Sequence, residues 1–227
     1  MNSIKDFYDR NPFPGPYTID QLKNYQVDNN PYISIIDSNI NDDQKILDVG
    51  CGAGLITNLL ASRYTSEFTG VDFSVAADIA ADFATNHHIT NATFIKQNFL
   101  NFQTNKKFDV IIAQSFLNHV PEYGGAINKL KSLLAPGGTM IVGIYNDHGK
   151  FAKKFFKVDY GNDRLRLDQE CNPYEVSFSH QEVLDQWNEF QLKTVYPSWG
   201  NRFVGLRNLL NSRNGGLTMY VFKDSNG

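Results

Sequence analysis

The chemistry-bearing residues of this chain are concentrated between Asp48 and His119. Asp48-Val49-Gly50-Cys51-Gly52-Ala53-Gly54 sets an acid and three alternating glycines at the end of the apolar run Lys45 to Val49. Glycine has no Cβ, so such a segment can turn tightly and let a ligand approach its backbone. A second apolar run, Phe68 to Val71, is closed by Asp72. An acid at the end of the strand after a glycine loop can accept hydrogen bonds from both hydroxyls of a ribose. The chemistry implied is nucleotide binding. Asp48 either caps the turn or serves the ligand by organising the loop. Cys51 reads as a small residue of the loop and not as a nucleophile.

The spacing narrows the nucleotide. A dinucleotide fingerprint, G-x-G-x-x-G/A, needs a third small residue for close helix–strand packing, and Leu55 stands there instead. No Gly-Lys-Ser/Thr follows the turn, which excludes a phosphate-binding P-loop. Farther on, His119 follows the apolar run Phe108 to Ala113. An imidazole at the carboxyl edge of a sheet can take a proton from a substrate hydroxyl or amine. The other reading is a structural histidine.

The elements that must position these groups alternate. Strands are expected at Lys45 to Val49, Phe68 to Val71, Thr93 to Lys96, Phe108 to Ala113 and Thr139 to Ile144. Helices are expected between them: Leu55 to Arg63, Val75 to Asn86 with Ser74 as its cap, and Ala126 to Leu134 ended by Pro136-Gly137-Gly138. This rhythm implies right-handed crossovers and a mostly parallel sheet, and continuous apolar runs place both its faces under cover. Before the first strand, Thr18 to Asn30 and Tyr32 to Ile40 have helical character. Pro12, Pro14 and Pro16 hold the aromatic segment from Phe7 to Tyr17 extended and forbid a helix there. After the fifth strand, Tyr145 to Phe178 shows little periodicity. Ser179-His180-Gln181-Glu182 is a capping box for a helix to about Phe190, and strands follow at Gln191 to Tyr196 and Leu217 to Phe222, with a short helix around Phe203 to Leu210 between them.

The combination resembles the class I S-adenosylmethionine (SAM)-dependent methyltransferases. ILDVGCGAG is similar to their first motif, FTGVDFS to the second-strand motif, FDVIIAQSFLNHV to the fourth-strand motif, and LAPGGTMIVGIY to the turn and strand after it. Gln97-Asn98-Phe99 falls where the family often has an acid beside the adenine, and Asn98 departs from it with an amide whose oxygen can still accept from the adenine amino group. The resemblance implies a doubly wound, mostly parallel seven-stranded α/β sheet, Rossmann-like, as a single domain over 1–227. Its parts would be an N-terminal arm and helices (1–44), a cofactor-binding half (45–145), and a substrate-side cap insertion with the last strands (146–227). It implies SAM as cofactor, held by Asp48, Gly50, Cys51, Gly52, Gly54, Asp72, Phe73, Asn98, Phe99 and Gln114. His119 is the candidate catalytic group. Phe73 and Phe99 can also be plain core. Tyr8, Phe13 and Tyr17 of the arm are candidates for substrate contact or for a lid over the cleft, the alternative being a packing arm. Asp168-Gln169, Asn172 to Glu175 and Glu182 to Leu184 resemble a pattern of some stand-alone methyltransferases.

Composition bounds the function. Net charge is −3, which disfavours nucleic acid as the main partner. Two cysteines among 227 residues suit a reducing compartment, and no signal-peptide core or membrane-length apolar run is present, so the expectation is a cytoplasmic enzyme without a membrane partner. Histidines and cysteines do not fall at zinc-ligand spacing, so no metal is expected. Lys153, Lys154 and Lys157 among phenylalanines form either a solvated face or a site for an acidic substrate group. Three functions stay open: methyl transfer to a small-molecule O, N or C acceptor, transfer to a protein or RNA, and a SAM-binding subunit without turnover. The pattern names neither the methyl acceptor nor an oligomeric state.

Overall fold

The computed structural model describes residues 4–147, 172–197 and 216–225. Lys150 to Lys157, Asp168-Gln169, most of the cap insertion and the helix expected at Phe203 to Leu210 lie outside the described residues.

Seven strands form one sheet in the order β3-β2-β1-β4-β5-β7-β6. These are β1 (Lys45–Val49), β2 (Glu67–Asp72), β3 (Ala92–Lys96), β4 (Phe108–Gln114), β5 (Leu134–Tyr145), β6 (Phe190–Tyr196) and β7 (Leu217–Asp224). β1 to β5 are mutually parallel, and β7 runs antiparallel to both β5 and β6. The order reverses between β1 and β4. At such a switch point the connections leave toward opposite sides and open a crevice at the carboxyl ends of the strands.

Helices cover both faces, as the continuous apolar runs require. α3 (Pro31–Asp37), the following Ile40 and α4 (Leu55–Ala61) pack Ile36, Ile40 and Leu60 against Ile46, Val110 and Ile141. The opposite face buries Leu47, Ile111 and Met140 under α6 (Tyr123–Leu133) and α7 (His180–Gln186). α7 opens with the capping box Ser179/Glu182 and ends at Trp187, whose indole stacks on Phe222 at 5.5 Å. α5 (Ala76–Asn86) packs over β2 and β3. Fully burying one such Leu or Ile contributes about 1.5–3 kcal/mol.

The structure corrects several boundaries. Helix α1 (Ile4–Arg10) occupies part of the segment expected to be extended. The prolines begin at Pro12, so they end a helix and do not prevent one upstream. Thr18 to Asn30 splits into α2 (Ile19–Lys23), closed by its own capping box Thr18/Gln21, and a 3₁₀ turn at Val27–Asn29. α5 begins one residue later than expected, while the Ser74 hydroxyl still accepts the Ala76 N–H at 3.2 Å. In β5 the pairing with β4 jumps from Leu134 to Thr139, so the Pro-Gly-Gly segment bulges out of the ladder.

Candidate active site

β1 delivers the glycine loop to the switch point. Gly50, Gly52 and Gly54 all have positive φ, at 73°, 54° and 77°. Gly50 N–H donates to the Val71 carbonyl at 2.8 Å, tying the loop to β2. The three glycines serve different purposes. A Cβ on Gly50 would meet Phe116 at 3.0 Å, and one on Gly52 would meet the Phe13 carbonyl oxygen at 2.2 Å. A Cβ on Gly54 would instead meet Ala80 at 2.6 Å and Phe94 at 2.9 Å. Gly54 is thus the close-packing glycine between α4 and its neighbours, while the first two shape the crevice.

Asp48 and Asp72 supply the negative charge. Asp48 is buried and accepts the Thr57 hydroxyl at 2.6 Å. Burial first, and then the neighbouring Asp72 charge, push its carboxyl up to about 6 against the pull of the Thr57 bond. The Asp72 carboxylate accepts from Gly52 N–H at 3.1 Å, Ser74 N–H at 2.9 Å and Ser74 hydroxyl at 2.7 Å. Burial raises its pKa even so. Two carboxylates that resist ionisation beside one cavity favour a cationic ligand. Cys51 is buried, and burial with the two nearby acids pushes its thiol well up, as suits a packing residue and not a nucleophile.

A cavity of about 430 Å³ opens over the loop and brings most of the candidates together. Asp48, Gly50, Cys51, Gly52, Asp72, Phe73, Asn98, Phe99, Gln114 and His119 all line it, with Tyr8 and Phe13 from the arm. Two candidates stand apart. Gly54 is in the packing just described. Tyr17 packs its ring on Phe83 at 4.4 Å and accepts from the Asn58 amide at 2.9 Å, so it is anchored under the arm and not in the cleft. Asn98 is exposed, and its side-chain oxygen already accepts the Leu100 N–H at 2.9 Å, capping a 3₁₀ turn. Phe99 is both lining and core, packed edge-on to Phe116 at 5.6 Å.

The arm lies across the loop. Phe13 carbonyl accepts the Ala53 N–H at 2.9 Å, and the Asp9 carboxylate accepts the Val75 N–H at 2.9 Å, adding to the Ser74 cap at the start of α5. Tyr8 sits edge-on to both Phe73 and His119, each at 6.1 Å, and so spans the two halves of the cavity.

His119 is 9 % exposed. Its Nδ1 lies 3.1 Å from the Tyr174 carbonyl and 3.1 Å from the Asn172 amide nitrogen. Its Nε2 and the Gln114 side-chain oxygen are buried without a partner among the described residues, and both side chains line the cavity. Asn118, which sequence reasoning missed, arranges this. Its side-chain oxygen accepts Tyr145 N–H at 3.0 Å, its amide donates to the Val176 carbonyl at 2.6 Å, and its own carbonyl accepts Val176 N–H at 2.8 Å. These bonds lay the 172–178 segment beside His119. An amide immediately before a histidine, within one 3₁₀ turn (Leu117–His119), carries no such signal in isolation.

The described residues contain no cluster of three or more metal-ligating side chains, and no helix among them is long and apolar enough to cross a membrane.

Comparison with known proteins agrees with this geometry. The family model for a methyltransferase domain matches residues 40–194. The chain is 25% identical over 156 residues to the malonyl-[acyl-carrier protein] O-methyltransferase of Acetivibrio thermocellus, covering 68% of this chain and 54% of that protein. It is 32% identical over 167 residues to the ubiquinone biosynthesis O-methyltransferase of Glaesserella parasuis, covering 67% of each. The first curated relatives are matched over about half their length, 54%, 47% and 46%. Among solved structures, the N-methyltransferase NodS of Bradyrhizobium japonicum, in complex with S-adenosylhomocysteine, superposes with a TM-score of 0.65 at 15% identity over 99% of this chain and 100% of that one. The [4+2]-cyclase SpnF superposes at 0.63 and 15% identity, over 87% of this chain and 82% of that one. These two likenesses speak for the fold alone. The chain belongs to the methyltransferase-domain family, within the class I SAM-dependent methyltransferases.

Proposed function

We propose that this chain transfers the methyl group of SAM to a small-molecule acceptor seated over the carboxyl edge of β4, under the arm. The observation that carries it is the cavity itself. One side offers a glycine cradle and two carboxylates, the buried Asp48 and the half-buried Asp72. The other offers His119 Nε2 and Gln114 Oε1, two buried polar atoms without partners among the described residues. The first set suits a cofactor carrying a ribose and a sulfonium. The second suits a polar acceptor.

Gly50 and Gly52 would admit the cofactor's backbone-hugging portion, Asp72 would accept from the ribose, and Phe73, Asn98 and Phe99 would border the adenine. Asp72 would then exchange part of its hydrogen bonding to Gly52 and Ser74 for the ribose hydroxyls. SAM, when bound, supplies an activated methyl group on a good leaving group. What this chain's residues must do is align the acceptor in line with that methyl and keep water out. Tyr8, Phe13 and Phe73 provide the apolar cover, and His119 is the side chain placed to touch the acceptor. The curated relatives named malonyl-[acyl-carrier protein] O-methyltransferase and ubiquinone biosynthesis O-methyltransferase support an oxygen acceptor. The charge balance and cysteine content support a cytoplasmic setting without nucleic acid.

Calorimetry with SAM and S-adenosylhomocysteine tests the first half, and mass spectrometry of a metabolite mixture incubated with trideuteromethyl-SAM tests the second. Micromolar cofactor binding with a labelled metabolite is expected. Label appearing only in added protein or RNA would replace the small-molecule acceptor, and absence of cofactor binding would overturn the reading.

A further inference from the structure

His119 Nδ1 has two neighbours that make opposite demands. The Tyr174 carbonyl at 3.1 Å calls for a proton on Nδ1. The Asn172 amide nitrogen, also at 3.1 Å, calls for a lone pair. The orientation of the Asn172 amide decides between them. Its oxygen accepts the Tyr174 backbone N–H at 3.2 Å, and a backbone N–H can only donate. The nitrogen end must therefore face His119 and Tyr8, where it donates to the Tyr8 hydroxyl at 2.8 Å. Its second hydrogen is left for Nδ1. With a proton on Nδ1, two N–H groups would point into one 3.1 Å gap. With a lone pair there, Asn172 is satisfied, and the Tyr174 oxygen is left facing that lone pair at 3.1 Å, a repulsion softer than two hydrogens sharing one gap.

We infer that Asn172 is a positioning residue that sets the tautomer of His119, placing the proton on Nε2 and so presenting a hydrogen-bond donor, not a base, to the cavity. Tyr8 is part of the device. By accepting one amide hydrogen it fixes the plane of Asn172 when the arm lies over the site. Arm closure and the polarity of the His119 edge are thereby coupled. This rests on the proposed acceptor site and sharpens it. A donor at Nε2 and an acceptor at Gln114 Oε1 in the same cavity select a molecule that offers both an oxygen lone pair and an O–H or N–H group. With His119 a donor and not a base, the nucleophile would be one that needs no deprotonation by it, such as a carboxylate, a phenolate or a neutral amine.

The test needs no known substrate. Protein labelled with ¹⁵N-histidine is saturated with S-adenosylhomocysteine at alkaline pH, and the tautomer of His119 is read from long-range ¹H–¹⁵N correlations. The His119 signals are assigned by their loss in His119→Gln. The Nε2–H form is expected in the unsubstituted chain. Asn172→Asp, which keeps the shape but presents an acceptor to Nδ1, is expected to move the tautomer ratio toward Nδ1–H by about tenfold or more, as exchanging one hydrogen bond of ordinary strength predicts. Tyr8→Phe should move it the same way by less. A predominantly Nδ1–H form in the unsubstituted protein overturns the proposal whatever the variants do. So does a ratio that Asn172→Asp leaves unchanged while cofactor binding is retained. Failure of the proposed function shows separately, as loss of calorimetric cofactor binding, and the histidine spectrum of the protein alone still reports the tautomer.

Discussion

The carbonyl oxygen of Phe13 lies 2.2 Å from where a Cβ on Gly52 would stand, so the arm and the glycine loop touch at a point where no side chain fits. The same oxygen accepts the next residue's N–H, that of Ala53, at 2.9 Å. Gly52 therefore serves two purposes, a positive φ of 54° and a seat for the arm. Gly52→Ala should leave the sheet folded, lift the arm and weaken SAM binding. Backbone strain and the displaced contact together are expected to cost about 1–3 kcal/mol. Calorimetry, with hydrogen exchange of residues 4–14, checks this. An alanine variant with unchanged affinity and unchanged arm protection would show that the contact carries no weight.

Asp72 holds three hydrogen bonds within the loop before any ligand arrives. Asp72→Ala should lose both the ribose acceptor and the tie to Gly52, lowering SAM affinity by about 1.5–3 kcal/mol, tenfold or more in Kd. Asp72→Asn retains one acceptor oxygen and should lose less. Equal affinities for all three proteins, each folded, would remove Asp72 from the cofactor site.

Asp48 makes stability depend on pH. Its carboxyl is raised to about 6 by burial and by the Asp72 charge, above the roughly 3.9 of an unfolded Asp. The folded state then holds the proton more tightly, so stability falls as pH rises from about 4 to about 6, and is level outside that window. Full ionisation costs about 3 kcal/mol on this basis, with Asp72 acting in the same direction. Asp48→Asn can still accept from Thr57 but does not titrate. Urea unfolding at pH 4.5 and 7.5 should show the variant gaining on the unsubstituted protein at the higher pH. A difference between the two proteins that stays constant with pH would contradict the buried titration.

Much of this architecture is legible in the sequence because it is written locally. The runs Ile46 to Val49 and Val110 to Ala113 are apolar without alternation, and the glycines between β1 and α4 can only be a turn. The loop, Asp72 and Gln114 follow from those runs by position. What the sequence hid depends on tertiary contact. Tyr17 resembles the other arm aromatics, yet it is fixed below by Phe83 and Asn58. Helix α1 is only seven residues long with no buried residue, so it leaves no strong apolar period. Asn172 and Tyr174 reach His119 across more than fifty residues of chain, through bonds made by Asn118. Such closures are invisible to periodicity.

The arm divides into two parts with different expected behaviour. From Tyr17 on it belongs to the body: Tyr17 is packed on Phe83, and α2 inserts Leu22 into the cluster of Val27, Ile33 and Leu59. The bonds that hold residues 4–14 include Asp9 on Val75, Phe13 on Ala53 and Tyr8 on Asn172, and α1 buries no residue fully. A few hydrogen bonds at about 0.5–1.5 kcal/mol each hold a segment weakly. Pro12 and Pro14 limit the entropy lost when it docks. Cofactor and acceptor in the cavity would add contacts with Tyr8 and Phe13, which line it. The expected outcome is therefore graded. Hydrogen exchange in residues 4–14 should slow by tenfold or more with S-adenosylhomocysteine, as about 1.4 kcal/mol of added docking would give. Residues 18–23 should be protected equally with and without it. High protection of residues 4–14 in the free protein, with no further change on binding, would mean a permanently docked arm and no lid. Removing residues 1–14 supplies the functional half of the test. A lid predicts a folded protein that binds cofactor weakly and turns over poorly, because water reaches the site.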